Sequence, residues 1–342
     1  MTLATTFLDQ ARACAALGSP FMERLLTLLA RHWPTQGDFA RLCANWPGDI
    51  SPRGVSLPLR ITGGLHALVM GGHDPALTAA YPPHQVSDQA LTDAVLNALV
   101  AHADFLTEWV QSAPQTNEVR RSVALIAAGH WLAARHPLPF VTSELGASAG
   151  LNLNWDRYAL RAGGQTFGPD DPALTLTPDW SGPVPEPQSI SVAQRRGVDL
   201  NPLDPGNPAH AARLLAYLWP DQPHRVALTR AAIAASDAKV EQGDAIDWLE
   251  SRLATPQDGH LHLIYHTIAW QYFPADAQTR GTALIEAAGA RASSTAPLAW
   301  LRMENDGGED GAALTLRLWP GDQHIALGRV DFHGRWVRWQ AS

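Results

Sequence analysis

One bend constrains this chain more than any other stretch. Leu138-Pro-Phe-Val-Thr-Ser-Glu-Leu145 is a short apolar run that ends in Gly146-Ala-Ser-Ala-Gly150, and Leu151–Leu160 beyond it can be helical. A buried strand that enters a tight glycine bend and then a helix is the opening unit of a parallel sheet. The rest of the chain agrees. Strand-like runs at Ile190–Ala193, Val240–Gln242, Leu261–Thr267 and Ala296–Met303 alternate with helical runs at His210–Leu218, Arg225–Ala235, Ala245–Leu253 and Ala277–Ala290. That alternation implies βαβ units. Ala312–Trp319 and Ile325–Trp339 alternate at period two, as an antiparallel pair at a sheet edge does. Residues 161–189 hold six prolines and four glycines, so they are expected as an irregular insertion or a small hairpin.

Before the bend the pattern is helical, from Thr2 to about Arg135, with no convincing strand ahead of residue 138. Ala90, Leu91, Ala94, Val95, Ala98, Leu99, Phe105, Leu106 and Trp109 recur at three- and four-residue steps, an amphipathic stripe. Val119–Ala134 reads similarly and closes at His136-Pro137; Phe21–His32 and Gly64–Gly71 are shorter candidates. The expected fold is α/β, a mostly parallel sheet with an antiparallel edge. A helical part over residues 1–135 precedes the sheet domain at 136–342.

Composition narrows the partners. An apolar share of 46% supplies a sizeable core, and charged residues make up only 17%. The net charge of −8, with no block of Lys or Arg, argues against a nucleic-acid surface, which needs clustered positive charge. Cys14 and Cys43 are too few for a disulfide framework or a thiolate zinc site, so buried thiols in a reducing compartment are expected. The N-terminus lacks a basic start followed by an apolar core, hence no signal peptide is expected. The apolar stretches Leu57–Met70 and Val123–Ala134 are too short or too broken to span a bilayer. These features together read as a cytoplasmic protein without membrane partners. Thirteen tryptophans imply aromatic-lined cavities or a Trp-rich core.

The bend offers two chemistries. Small residues at Gly146 and Gly150 let a ligand approach the backbone, and the first N–H groups of a following helix attract an anion. Glu144 stands at the carboxyl end of the strand, where open α/β sheets bind ligands. Glu144-x-Gly146-x-x-x-Gly150 resembles the first motif of class I S-adenosylmethionine methyltransferases. The plain alternative is a tight turn without ligand. The same residues spell Gly-x-Ser148-x-Gly, the nucleophile elbow of α/β-hydrolases, with Asp244 or Asp247 and His324 or His333 in the required chain order. About 135 helical residues before the elbow weigh against that reading, and Ser148 as a helix-start residue accepting a backbone N–H is plainer.

Further polar residues follow the later strands. Asp199, after Arg195-Arg-Gly-Val, can take ribose hydroxyls, although it lies 49 residues beyond Gly150 rather than the usual ~20. A salt bridge to Arg195 or Arg196 is an equal alternative. Asp244, in Gln242-Gly-Asp-Ala245, either holds an adenine amino group or caps a helix. His266 is the candidate general base, and Trp270, Tyr272 and Trp155 offer aromatic faces. His260, His262 and His266 lack a companion carboxylate motif, so no metal is expected. Asn117, Glu118 and Arg120 bunch where a helix starts. They are expected either to cap it or to read a substrate, with Arg120 gripping a carboxylate.

Taken together, Gln115-Thr-Asn-Glu-Val-Arg-Arg121, Glu144–Leu153 with Trp155-Asp-Arg-Tyr158, Arg195–Asp199 with Pro202-Leu-Asp204, and His266–Tyr272 resemble the bacterial domain-of-unknown-function family 2332 over nearly the full length. The resemblance implies a Rossmann-like, methyltransferase-type core with extra helices and no assigned substrate. Ser148 replaces the middle glycine usual in methyltransferase loops. The leading expectation is an S-adenosylmethionine-dependent methyltransferase acting on a small molecule. In it Glu144, Gly146, Ser148, Gly150, Asp199, Asp244 and Ala245 form the cofactor site, and Asn117, Glu118, Arg120, Trp270 and Tyr272 meet the substrate. A non-catalytic binding or scaffold protein of the same fold and a Ser148 hydrolase are the alternatives.

Overall fold

The computed structural model describes residues 2–52, 54–308 and 310–342. The chain divides into two compact units, one of residues 1–116 with 208–227, the other of residues 117–207 with 228–342. The sequence places the division at 135/136 instead. The helix that begins at Ser122 explains the difference. All twelve of its residues are buried, so it has no solvent face and belongs to the core of the sheet unit.

The first unit is helical: α1 (Leu3–Ala16), α2 (Pro20–His32), α3 (Asp38–Ala44), α4 (Leu57–Met70), α5 (Pro75–Ala80), α6 (Asp88–Ala101) and α7 (Ala103–Trp109), joined by the later helix Pro208–Ala216. The stripe read as one helix from Ala90 to Trp109 breaks at His102, which closes α6 and opens α7. Its apolar residues reach one core with Phe7, Leu26, Leu65 and Tyr81, all shielded from solvent. Ser19 caps α2 by accepting from the Met22 N–H and donates to Asp221 at 2.6 Å. Cys14 and Cys43 are free and buried here, and burial pushes their thiols up to about 11 and about 12. Among the described residues no helix is long and apolar enough to cross a membrane.

The second unit opens with α8 (Ser122–Ala133) and β1 (Phe140–Leu145). The insertion folds as β2 (Ala159–Ala162), β3 (Gln165–Phe167), β4 (Thr175–Leu176) and β5 (Asp179–Ser181). Gly163 and Gly164, both at positive φ, supply the tight β2–β3 hairpin turn. Next come β6 (Val192–Asp199), α9 (the first unit's Pro208–Ala216), α10 (Pro223–Ala235), β7 (Val240–Gln242), α11 (Ala245–Leu253), β8 (Leu261–Thr267) and α12 (Ala275–Gly289). A meander of β9 (Leu298–Glu304), β10 (Ala312–Trp319), β11 (Gln323–Val330) and β12 (Trp336–Trp339) closes the chain. Ile325–Trp339 is thus two strands, separated by a turn around the buried Asp331 carboxylate, which accepts from the His333 and Arg335 N–H groups.

Nine strands form one sheet in the order β5-β12-β11-β10-β9-β8-β1-β6-β7. The run from β7 to β9 is parallel, and β9 to β12 pair antiparallel. The order β7-β6-β1-β8-β9 is the doubly wound arrangement: successive strands are added outward from β1 to β6 and β7 on one side, then from β8 to β9 on the other, so the switch point lies between β1 and β8. The second core strand runs to Asp199, further than Ile190–Ala193 suggests. Arg195 and Arg196 sit within it because Asp156 and Glu241 neutralise their guanidinium groups. The stretch after β1 is a 3₁₀ turn over Leu151–Arg157, broken at Asn154, rather than an α-helix.

Candidate functional site

At the carboxyl ends of β1, β6 and β7 lies a cavity of about 140 Å³. Gly146 comes to it from the bend after β1, Asp199 from the last residue of β6, and Asp244 with Ala245 from the start of α11. Tyr272, Phe273 and Pro274, from the segment after β8, complete the wall. Leu200 and Tyr272, both well exposed, give the rim an apolar character. No lysine or arginine is among the described residues that line it.

The bend itself takes the left-handed region three times, at Gly146 (φ 70°), Ser148 (φ 53°) and Gly150 (φ 71°). A non-glycine residue held there costs about 1–2 kcal/mol. Asp199 offsets the cost: its Oδ2 accepts from the Ser148 N–H at 2.8 Å, while Oδ1 accepts from the Asn201 N–H at 2.9 Å. The Gly146 and Ala147 N–H groups both donate to the Val198 carbonyl, and the Gly150 N–H donates to the Ala147 carbonyl. Leu151, the first residue of the 3₁₀ turn, donates its N–H to Asn117 Oδ1 at 2.7 Å. Of the amides expected to attract an anion, those of Gly146, Ala147, Ser148, Gly150 and Leu151 are already engaged, and a 3₁₀ turn rather than an α-helix follows them.

Asn117, Glu118 and Arg120 prove to be part of that fastening. Glu118 accepts from the Arg120 N–H at 3.1 Å and from Arg120 Nε at 3.2 Å, and its carbonyl accepts from Asn152 Nδ2. Ser122 Oγ donates to Asn152 Oδ1 at 2.7 Å. Glu118 caps the short turn at Val119–Arg121, and none of the three residues lines the cavity.

Glu144 does not join Asp199 and Asp244 at the cavity. It is 2% exposed, with Tyr265 Oη donating to it at a long 3.4 Å. Burial pushes its carboxyl well above the usual range, and nearby Asp199 adds to the shift against Tyr265 and Arg121. Asp244 is exposed, and only its Oδ1 serves the helix, accepting from the Ile246 and Asp247 N–H groups at 2.8 and 3.1 Å. Its Oδ2 carries no protein partner among the described residues. Both of its expected roles, cap and ligand contact, are open to it at once.

Ser148 does not cap: its side chain accepts nothing, its backbone being held by Asp199 and by Leu203, whose N–H donates to the Ser148 carbonyl. Its Oγ is buried without a hydrogen-bond partner, so no imidazole stands within reach as a base. His324 is exposed beside Asp322, and Asp247 pairs with Arg280. The elbow reading has a strained serine and no assembled triad.

His266 is fully buried at the end of β8 with both ring nitrogens in use. Nδ1 meets Glu304 Oε1 at 2.6 Å, and Nε2 accepts from Trp300 Nε1 at 3.0 Å, so the proton sits on Nδ1. Burial holds the imidazole below its ordinary value; Glu304, in spite of its burial, is held below the carboxylate range by His266 and by backbone N–H groups. A neutral His266 bonded to an ionised Glu304 has no nitrogen left for proton transfer, and the base expected from sequence is buried behind the cavity rather than lining it. Trp270 stacks on it, ring centroids 5.0 Å apart, and does not line the cavity. Trp155 is buried against Phe140 and Gly129. His262 bonds Ser143 Oγ at 2.8 Å, and His260 turns back to the Asp258 carbonyl. Among the described residues no group of three His, Cys, Asp or Glu could hold a metal ion.

Glu304 escaped the sequence reading. Its signal was an acid closing the otherwise apolar strand Leu298-Ala-Trp-Leu-Arg-Met303, which sequence alone extends only to Met303. A family described as "Uncharacterized protein conserved in bacteria (DUF2332)" matches residues 4–339. No curated protein and no solved structure matches the chain. With nearly its whole length matched, the chain belongs to that family.

Proposed function

We propose that this member of the DUF2332 family is an S-adenosylmethionine-dependent methyltransferase acting on a small molecule, and that the cavity takes the nucleoside half of the donor. One observation carries the reading. Asp199 and Asp244, 45 residues apart in sequence, meet with Gly146 at the carboxyl ends of three adjacent parallel strands. Asp199, at the end of the second strand, stands where a carboxylate takes ribose hydroxyls in this sheet order. The open Oδ2 of Asp244 suits an exocyclic amino group. Tyr272, Phe273 and Leu200 provide apolar faces for a flat base, and the aromatic rings also favour a cation.

The same geometry disfavours a phosphorylated ligand. Phosphate needs free N–H groups or basic side chains; here the Gly146, Ala147, Ser148, Gly150 and Leu151 amides are spent, no Lys or Arg among the described residues lines the cavity, and the lining carries two carboxylates. A dinucleotide is therefore a poorer fit than an unphosphorylated, cationic nucleoside. At about 140 Å³ the cavity is below the ~300–1,000 Å³ of sites that enclose a whole ligand. It suits one ring-bearing portion, and buried Glu144 is no contact for the remainder. When bound, the donor supplies an electrophilic methyl group on sulfur. The protein's part is to orient it and exclude water.

Mass spectrometry of the protein as purified tests the proposal. Adenosylmethionine or its demethylated product co-purifying at near one-to-one supports it; a ligand carrying phosphate would replace it. The second reading, a binding protein of the same fold without catalysis, is favoured by the fully engaged His266. It is distinguished by tight ligand binding without turnover of methyl groups.

A further inference from the structure

The aromatic wall of the cavity comes from one short segment, and that segment has little of its own to hold it. After β8 the chain passes through Ile268 in the left-handed region (φ 54°), makes a single 3₁₀ turn over Trp270–Tyr272, and reaches α12 through Phe273 and Pro274. For a β-branched residue that φ is a true outlier, which persists only where the surroundings enforce it. The Ile268 N–H donates to the Met303 carbonyl, Gln278 Nε2 donates to the Trp270 and Phe273 carbonyls, and one buried side chain gathers the N–H groups between them. Glu304 Oε1, from the last residue of β9, accepts from the Ala269 N–H and the Trp270 N–H, both at 3.0 Å, and from His266 Nδ1 at 2.6 Å. Its Oε2 is 3.4 Å from the Gln271 N–H, and Gln271 returns the contact, its Oε1 accepting from the Asn305 N–H at 3.3 Å. On the other side the segment abuts the bend after β1. A Cβ built on Gly146 would lie 2.7 Å from Ala269 Cβ.

We infer that Glu304 is a positioning residue: it clamps the segment 268–274 and so sets where Tyr272 and Phe273 stand in the cavity. It touches no ligand itself. His266 and Trp300 act behind it, His266 donating to its carboxylate and Trp300 fixing the His266 tautomer. The arrangement turns three backbone N–H groups toward one buried carboxylate, a charge-assisted contact stronger than neutral hydrogen bonds. The part of this inference that concerns ligand rests on the nucleoside reading of the cavity; the clamp does not.

Two measurements on the full chain separate them. In hydrogen exchange, Glu304→Ala is expected to speed exchange of the 269–271 amides by at least about tenfold beyond any global change. Glu304→Gln, whose amide oxygen can still take the three bonds of Oε1 but without the charge, is expected to speed it clearly less than the alanine variant. In calorimetry with adenosine as the probe, Glu304→Ala weakens binding by about tenfold or more while Glu304→Gln stays within about threefold. Should the alanine variant not fold, Glu304→Asp, which withdraws the carboxylate by one methylene, replaces it with the same local loosening expected. Exchange that rises uniformly, or not at all, in these variants overturns the clamp. A loosened segment with unchanged adenosine affinity overturns its role in the cavity. If the parent protein itself does not bind adenosine, the nucleoside reading fails, and the exchange experiment still decides the clamp.

Discussion

Asp244 and Glu144 are both acids at the end of a parallel strand or just beyond it, and their surroundings give them opposite roles. Asp244 keeps one oxygen for the helix and one for solvent. Asn is as good a cap as Asp, so Asp244→Asn should leave the melting temperature nearly unchanged while weakening adenosine binding by about tenfold in calorimetry. Unchanged affinity would remove Asp244 from the site. Glu144 is buried with its carboxyl raised well above the usual range. In the unfolded chain that acid ionises near its ordinary value, so the folded state loses stability as pH rises through the interval between the two values. Glu144→Gln is therefore expected to stabilise at neutral pH and not at pH 4, which urea denaturation at the two pH values would read. The acids were visible in sequence, and their environments were not. Whether a carboxylate at a strand end faces a cavity or the core depends on Tyr265 and Asp199, brought beside Glu144 from other strands.

Among the elements, α8 shows packing overruling propensity. Gly129 sits inside a buried helix, where Ala would ordinarily gain up to about 1 kcal/mol. Yet a Cβ there would lie 2.5 Å from Trp155 Cη2, and overpacking costs about 1–3 kcal/mol. Gly129→Ala should thus lower the unfolding free energy; a gain in thermal stability would contradict the packing. Periodicity located α2, α8 to α12, β1 and β7 to β10 to within a few residues, because apolar spacing is local. It failed where a distant partner changes the local outcome. Arg195 and Arg196 lie inside β6 because Asp156 and Glu241 accept them. The 3₁₀ turn at Leu151 is fastened by Asn117, which accepts its first N–H from 34 residues earlier in the chain. Glu304 was passed over because the groups it serves lie 33–38 residues earlier in the chain.

For the whole molecule, buried neutral histidines set the acid limit. Burial, with Arg252 adding to it, holds His262 down to about 3, and burial holds His130 down to about 4. Both stand well below the ordinary 6.5 of an unfolded chain. The unfolded state takes up these protons first, so the contribution of the two histidines is full above pH 6.5 and falls as pH drops toward 4, against the smaller opposite trend of Glu144. The slope reaches about 2.7 kcal/mol per pH unit when both contribute. Urea midpoints between pH 7 and 5 should decline accordingly, and a flat profile would place these rings in contact with water. The family and the α/β order were legible in the sequence; the state of each polar group at the bend was not, since it depends on which amides the fold has already used.

The central claim is that Asp199, Asp244 and Gly146 frame a pocket for an unphosphorylated nucleoside. The most direct measurement is a calorimetric titration of the intact protein with adenosine and with adenosine monophosphate at one ionic strength. Adenosine is expected to bind and its monophosphate to bind at least about tenfold more weakly, because two carboxylates and, among the described residues, no basic side chain line the cavity. Equal or tighter binding of the monophosphate would contradict it.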